Sequence, residues 1–316
     1  MSTEPVIVAE GLVKRFDGVA VVDGVSFTVG AGEVVGLLGP NGAGKTTTLR
    51  LLSGLYAADA GSARVAGEPI RAGALPGASL RARVGLLTES PGFYPRLSAR
   101  ENLRYFAALY GADGGDLEAR MERQLSRLGL AAHADKRFGA LSRGMKQKLA
   151  VIRALLHRPP VVFLDEPTVG LDPESVGSLR ELVTELRDEG TAVLLCSHLL
   201  DEVERLCQRA VFLARRVVGI HPVVSDDRLV RVELFERGAS PAELAARLQG
   251  LEQLEGARAE GQTLHLTLRE AGEIAEVVRL LVEARAAVRR VEPVRVALEG
   301  AYLGFLAAAR QEGLLP

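Results

Sequence analysis

Gly39-Pro40-Asn41-Gly42-Ala43-Gly44-Lys45-Thr46, followed by Thr47, carries the spacing GxxxxGK[ST] without a gap. Glycines at these positions let backbone N–H groups turn inward onto phosphate oxygens, and a helix that starts behind them adds the partial positive charge of its N-terminus. Lys45 is spaced to reach the outer phosphates, and the Thr46 hydroxyl to ligate Mg²⁺. A second group is Val161-Val162-Phe163-Leu164-Asp165-Glu166, an apolar run that ends in two adjacent carboxylates. Asp165 is suited to hold Mg²⁺ through water, and Glu166 to accept the proton of an attacking water. A phosphate cradle alone does not separate a kinase from a GTPase or an ATPase. The carboxylate pair adds the means of hydrolysis.

These groups need strands that deliver them to one edge of a sheet. Val34-Val35-Gly36-Leu37-Leu38 is a continuous apolar run of the kind buried on both faces, and it leads through the glycine-rich segment into a helix over Thr46–Leu55. Val161–Leu164 and Ala192–Cys196 read as two more buried strands, each with a polar residue at its end. Short β-branched runs with Gly and Asp punctuation over residues 5–30 predict antiparallel strands. Ser98-Ala99-Arg100-Glu101 is a capping box that opens a helix, and Leu117–Leu128 has 3.6-residue spacing, so a helical insertion is predicted over about 91–155. The class is α/β: a P-loop core with a parallel sheet, an antiparallel β-subdomain and a helical insertion.

Past Pro222 the pattern changes. The remainder carries 12 Arg against 15 acidic residues and reads strand, helix, two strands around Glu260-Gly261, helix, strand, and a last helix near Tyr302. This predicts a nucleotide-binding domain over 1–222 and a smaller α+β accessory domain of βαββαβ type over 223–316, with 1–222 able to fold and bind nucleotide alone.

The 316 residues are 47% hydrophobic and 25% charged, ordinary for a folded protein, and the formal net charge is -1. That balance provides no overall basic field, so nucleic acid is not expected as a partner. Cys196 and Cys207 lack metal or disulfide spacing and read as reduced thiols. No basic leader and no unbroken apolar stretch long enough for a spanning helix is seen, so a cytoplasmic location is expected.

LSRGMKQK at 141–148 is similar to the signature LSGGQ of the ATP-binding cassette (ABC) family, GLD at 170–172 to its D-loop, and Ser197-His198 to its switch histidine. With the P-loop and the carboxylate pair in order over about 1–220, the chain resembles a nucleotide-binding subunit of an ABC transporter. GFYPRLSARENL and LSRGMKQKL further resemble the branch serving exporters of drugs, lipids, polysaccharide or sodium through a separate membrane subunit. The resemblance implies ATP with Mg²⁺, a stacking role on adenine for Phe16, a γ-phosphate and base-positioning role for His198, and a D-loop role for Asp172. It also implies a location on the cytoplasmic face of the membrane, beside an integral membrane permease.

Ser142 stands at the N-cap of a helix over Gly144–Leu156, about a hundred residues from the P-loop, which makes it a second anion site. The family implies a head-to-tail dimer with a second copy, or a homologous subunit, in which Ser142 and Gly144 of one chain close over ATP held by the other. Two departures stand out. Glu89 replaces the family's Gln at the end of the strand before the insertion; it can face Mg²⁺ through water but cannot donate as an amide does. Arg143 and Met145 replace the signature's first Gly and its Gln; Arg143 can reach phosphate or lie in solvent, and solvent is the favoured reading. The segment 90–104, with Phe93 and Tyr94, is expected to line the groove that receives a short helix of the membrane subunit, the alternative for the two aromatics being simple packing. The rival reading, a soluble ATPase of the same superfamily acting on ribosomes or DNA, lacks a second cassette or a coiled-coil insertion here. A small-molecule kinase or GTPase leaves LSRGM, GLD and His198 unexplained.

Overall fold

The computed structural model describes residues 4–88, 92–112, 115–223, 225–235, 239–270, 274–295 and 298–314. β1 (Ile7–Phe16) and β2 (Val19–Val29) form a hairpin across Asp17-Gly18, both with positive φ, the geometry whose twist suits a two-residue turn. β3 (Val34–Leu38) runs into α1 (Lys45–Leu52), and β4 (Ala60–Val65) and β5 (Glu68–Arg71) return to the hairpin. The result is a four-stranded antiparallel sheet, β2-β1-β4-β5. Its inward residues, among them Ile7, Leu12, Val25 and Val65, share one core with the larger sheet.

A short helix, α2 (Ala78–Ala82), precedes β6 (Val84–Leu87). Three helices then follow: α3 (Ala99–Leu109), α4 (Gly115–Arg127) and α5 (Arg143–Leu155). The capping box of Ser98 and Glu101 is formed at the start of α3, and the Ser142 hydroxyl caps α5 by accepting from Met145 N at 3.2 Å. β7 (Val161–Asp165), α6 (Pro173–Asp188), β8 (Ala192–Ser197), α7 (Leu200–Leu206), β9 (Arg209–Ala214) and β10 (Arg216–Pro222) complete the core. Six strands lie in the order β10-β9-β3-β8-β7-β6, parallel except for β10.

Every residue of β3, β7 and β8 is buried, which explains why their sequences are unbroken apolar runs rather than alternating ones. Leu38 pairs with Ser197 and Asp165 with Cys196, so three neighbouring strands end at one level. The segments that leave them, which hold the P-loop, Glu166 and His198, therefore emerge side by side at the carboxyl edge, where parallel sheets bind ligands.

The chain divides into two units, Met1–Pro222 with Leu298–Pro316, and Val223–Ala297. The second unit comprises β11 (Ser225–Leu234), α8 (Pro241–Leu248), β12 (Leu254–Glu260), β13 (Thr263–Leu268), α9 (Ile274–Glu283) and β14 (Val288–Arg295). Its antiparallel sheet, β12-β13-β11-β14, buries Val230, Val232, Leu264 and Leu266 against Leu244 and Leu281 of the helices, a core of its own. This is the expected βαββαβ arrangement.

The expected accessory domain over 223–316 is shorter than that in the structure. α10 (Leu298–Gln311) belongs to the first unit, because Tyr302 and Phe305 stack on Phe212 of β9 with ring centroids 5.7 and 4.5 Å away. Gly219 of β10 makes room for this contact: a Cβ there would lie 2.2 Å from the Phe305 ring.

Candidate functional site

The P-loop turns from β3 into α1 through Gly44, whose φ of 97° and closeness to Val21 (a Cβ would lie 2.6 Å from its carbonyl oxygen) both exclude a side chain. No side chain caps α1, so its first N–H groups are left for an anion. Lys45 is only 7% exposed, and its ammonium donates to the carbonyls of Gly39 (2.6 Å) and Pro40 (3.2 Å). Those neutral acceptors hold the charge where phosphate oxygens would bind it more strongly.

Asp165, at the last position of β7, is 5% exposed. Burial raises its pKa, and the Thr46 hydroxyl hydrogen-bonded to it opposes the rise. A buried carboxylate that meets the hydroxyl at the start of α1, with Lys45 nearby, is a donor set suited to a divalent cation shared with phosphate. Thr46 and Asp165 would hold Mg²⁺ here. Glu89, the further metal candidate, lies outside the described residues.

Glu166 follows in the left-handed region at φ 49°, a conformation that costs a residue with a Cβ about 1–2 kcal/mol. Its N–H donates to Cys196 O at 2.9 Å, and both carboxylate oxygens lie 2.9 Å from His198 Nδ1. Since carboxylate oxygens only accept, Nδ1 carries the proton and Nε2 is left for a second partner. Half-exposed His198 and Glu166 thus form a hydrogen-bonded pair at the ends of β8 and β7.

A cleft of about 710 Å³ brings Asn41–Thr47 together with Asp165, Glu166 and His198. Its far wall comes from the helical insertion: Phe93, Phe138, and Arg143, Lys146 and Gln147 of α5. Arg143 is exposed as expected, yet it stands on this wall. Of the two aromatics, Phe93 takes the packing alternative. It is buried rather than exposed, packed against Phe106 and Phe138 with the Arg153 guanidinium over its ring, whereas Tyr94 is 46% exposed and bonded to the Tyr105 hydroxyl.

Ser142, Gly144 and Asp172 do not line the cleft. Ser142 caps α5, and Asp172 caps α6 through Ser175 N at 2.9 Å. Phe16 also lies outside the cleft lining, 40% exposed and edge-on to Tyr56.

Sequence reasoning missed Lys146 and Gln147. Their spacing of three and four residues from Arg143 puts all three on one helical face, and that was the available signal. Glu202 was missed too. It is buried in α7, accepts from the Ser197 hydroxyl at 2.5 Å and has its pKa raised by burial. Both cysteines are buried, with their thiols pushed well up, and supply no reactive thiolate.

Residues 22–169 match the ABC transporter family profile. Nod factor export ATP-binding protein I of Paraburkholderia xenovorans (strain LB400) is 39% identical over 256 residues, 79% of this chain and 82% of that protein. A solved ATP-binding subunit of an ABC transporter is similar at 31% identity with a TM-score of 0.64, over 71% of this chain and 92% of its own. A bacterial ABC transporter cassette solved as a dimer is 25% identical with a TM-score of 0.63, over 68% of this chain and 98% of its own.

Proposed function

Because this chain belongs to the ABC transporter family, as an ATP-binding and ATP-hydrolysing subunit, we propose that it powers export through a separate integral membrane subunit by closing as a head-to-tail pair around ATP. The observation that carries this is the convergence of Lys45, Asp165, Glu166 and His198 in one cleft, whose lining does not include Ser142 and Gly144. One chain thus has a complete cradle for triphosphate and a second anion site that its own nucleotide does not use. A partner chain fills the gap, and a related cassette has been solved as a dimer.

Within each site the chain's residues divide the work. The N–H groups of Gly42 to Thr46 and the Lys45 ammonium bind and orient the phosphates. Thr46 and Asp165 would hold Mg²⁺, which when bound would supply charge neutralisation at the phosphates. Glu166 accepts the proton of the attacking water, and His198, fixed by its Nδ1 bond to Glu166, presents Nε2 toward the γ-phosphate. Phe16 stacks on adenine, and Asp172 orders the loop that meets the partner.

No described helix is long and apolar enough to cross a membrane; in this reading the membrane part is a separate chain. We place its contact at the exposed Tyr94–Tyr105 pair on the insertion, where buried Asn102 holds the strap by bonding Tyr94 N and the carbonyls of Tyr94 and Ser98. The chain then sits on the cytoplasmic face. A soluble ATPase acting on ribosomes or DNA has less support, since the matched relative serves export.

Glu166→Gln tests the mechanism. Hydrolysis is expected to slow by roughly 10² to 10⁴-fold with ATP retained. The variant should then run as a dimer on size exclusion with ATP and Mg²⁺, and as a monomer with ADP. Adding Ser142→Arg should abolish the dimer. Hydrolysis at the parent rate would remove Glu166 as base, and a stalled but monomeric variant would overturn the shared site.

A further inference from the structure

Glu166 must be held in a left-handed conformation that its side chain disfavours, and its tethers come from different parts of the chain. Its N–H is bound by β8, through Cys196 O, and its carbonyl accepts from Val169 N at 3.3 Å within the same loop. The next residue, Pro167, has no N–H and can be tethered only through its carbonyl. The Gln147 side-chain amide lies 3.4 Å from Glu166 O and 3.2 Å from Pro167 O. Both partners are carbonyls, so the NH₂ faces them and donates to both. Of these tethers, the Gln147 amide alone comes from α5.

The same helix touches the loop further along. Gly144 approaches Gly170 so closely that a Cβ would lie 2.9 Å from the Gly170 oxygen, and the Arg143 side chain packs beside Gly170. Lys148 stands 3.9 Å from the Asp172 carboxylate. Residues 143 to 148 thus form a seam along 166–172 of the same chain. Its first turn carries Ser142 and Gly144, and its second turn holds the backbone of Glu166.

We propose that Gln147 is a positioning residue for hydrolysis: it fixes the Glu166 backbone from α5, so that occupation of Ser142 and Gly144 by the partner's ATP sets the geometry of the base in this chain's own site. The inference rests on the shared-site dimer proposed above. Gln147 needs no contact with nucleotide for this role, although it lines the cleft.

Two variants of the full chain test it. Gln147→Met keeps the length and removes the donor, and Gln147→Glu keeps the shape but turns an acceptor toward two carbonyls. Both are expected to lower kcat about tenfold or more, the scale of a displaced base, and to leave KM for ATP within about twofold of the parent. In the Glu166→Gln background, Gln147→Met should still dimerise with ATP on size exclusion. If Gln147→Met lowers the melting temperature, the isosteric Gln147→Glu decides. Parent-like kcat in the deciding variant overturns the proposal. So does a raised KM with unchanged kcat, which makes Gln147 a nucleotide contact instead. Failure of Glu166→Gln alone to dimerise is a different result: it sinks the shared site, while the kcat values still report whether Gln147 positions the base.

Discussion

At the residue scale, the site concentrates costs that the rest of the fold avoids. Glu166 accepts a strained backbone so that its carboxylate meets His198, and Asp165 sits buried with a raised pKa. Behind them Glu202 is 2% exposed; the Ser197 hydroxyl donates to one of its oxygens, and the other faces the Thr168 hydroxyl without a completed bond. Burial is the largest influence on Glu202 and raises its pKa, with Ser197 and Thr168 acting against it. The folded state therefore favours the protonated acid. The stability this contributes is fully present below the ordinary glutamate pKa, and it is lost as the pH rises through the raised value. Glu202→Gln cannot ionise and keeps a group of the same shape. Its melting temperature should match the parent in acid and exceed it at neutral pH and above. A difference that stays constant across that range would show that Glu202 does not titrate as described.

At the element scale, helices gain their meaning from what they cover. α5 supplies the cleft wall and the seam to the base loop, while its cap remains outside. α10 covers the outer end of the large sheet: Phe305 enters the space left by Gly219 and stacks on Phe212, and Arg216 and Glu312 pair at the far end of the helix. Phe305 is half-buried, so Phe305→Ala should destabilise by about 2 kcal/mol, less than the ~3–5 kcal/mol of a fully buried phenylalanine. Chemical denaturation with intact nucleotide binding at low denaturant checks this. No loss of stability would mean that the helix does not rest on β9 in solution.

At the scale of the whole molecule, the chain leaves its ATPase unit at Pro222, builds a second unit, and returns at Leu298. The fragment 1–222, expected to fold alone, lacks α10 and so uncovers Phe212. Exposing one such ring forfeits about 1.5–3 kcal/mol of burial. Residues 1–222 should therefore melt lower than the full chain and aggregate on heating. A chain in which 223–297 is replaced by a flexible Gly/Ser linker of about 20 residues should keep both ATP binding and the parent melting temperature of the first unit. Residues 223–297 have their own core and should fold in isolation, which circular dichroism and cooperative melting would show. A stable, soluble 1–222 would contradict the role given to α10.

Much of this was legible in the amino-acid order, for physical reasons that act locally. GxxxxGK[ST] can form its cradle only where glycines permit the turn, Val34–Leu38 and Val161–Leu164 are too uniformly apolar for any place but a doubly covered sheet, and Ser98 with Glu101 satisfy a helix start between themselves. The βαββαβ order of the second unit followed from alternating periodicities in the same way. What only the tertiary structure decided depends on residues far apart in the chain. Phe93 is aromatic and flanked by Pro and Gly, so nothing local says it will be buried by Phe106, Phe138 and Arg153. Tyr302 and Phe305 announce a helix but not its address, which Gly219 and Phe212 set from more than eighty residues away. Spacing puts Gln147 on the helical face of Arg143, but its bonds to the carbonyls of Glu166 and Pro167 exist only once the fold lays α5 along that loop.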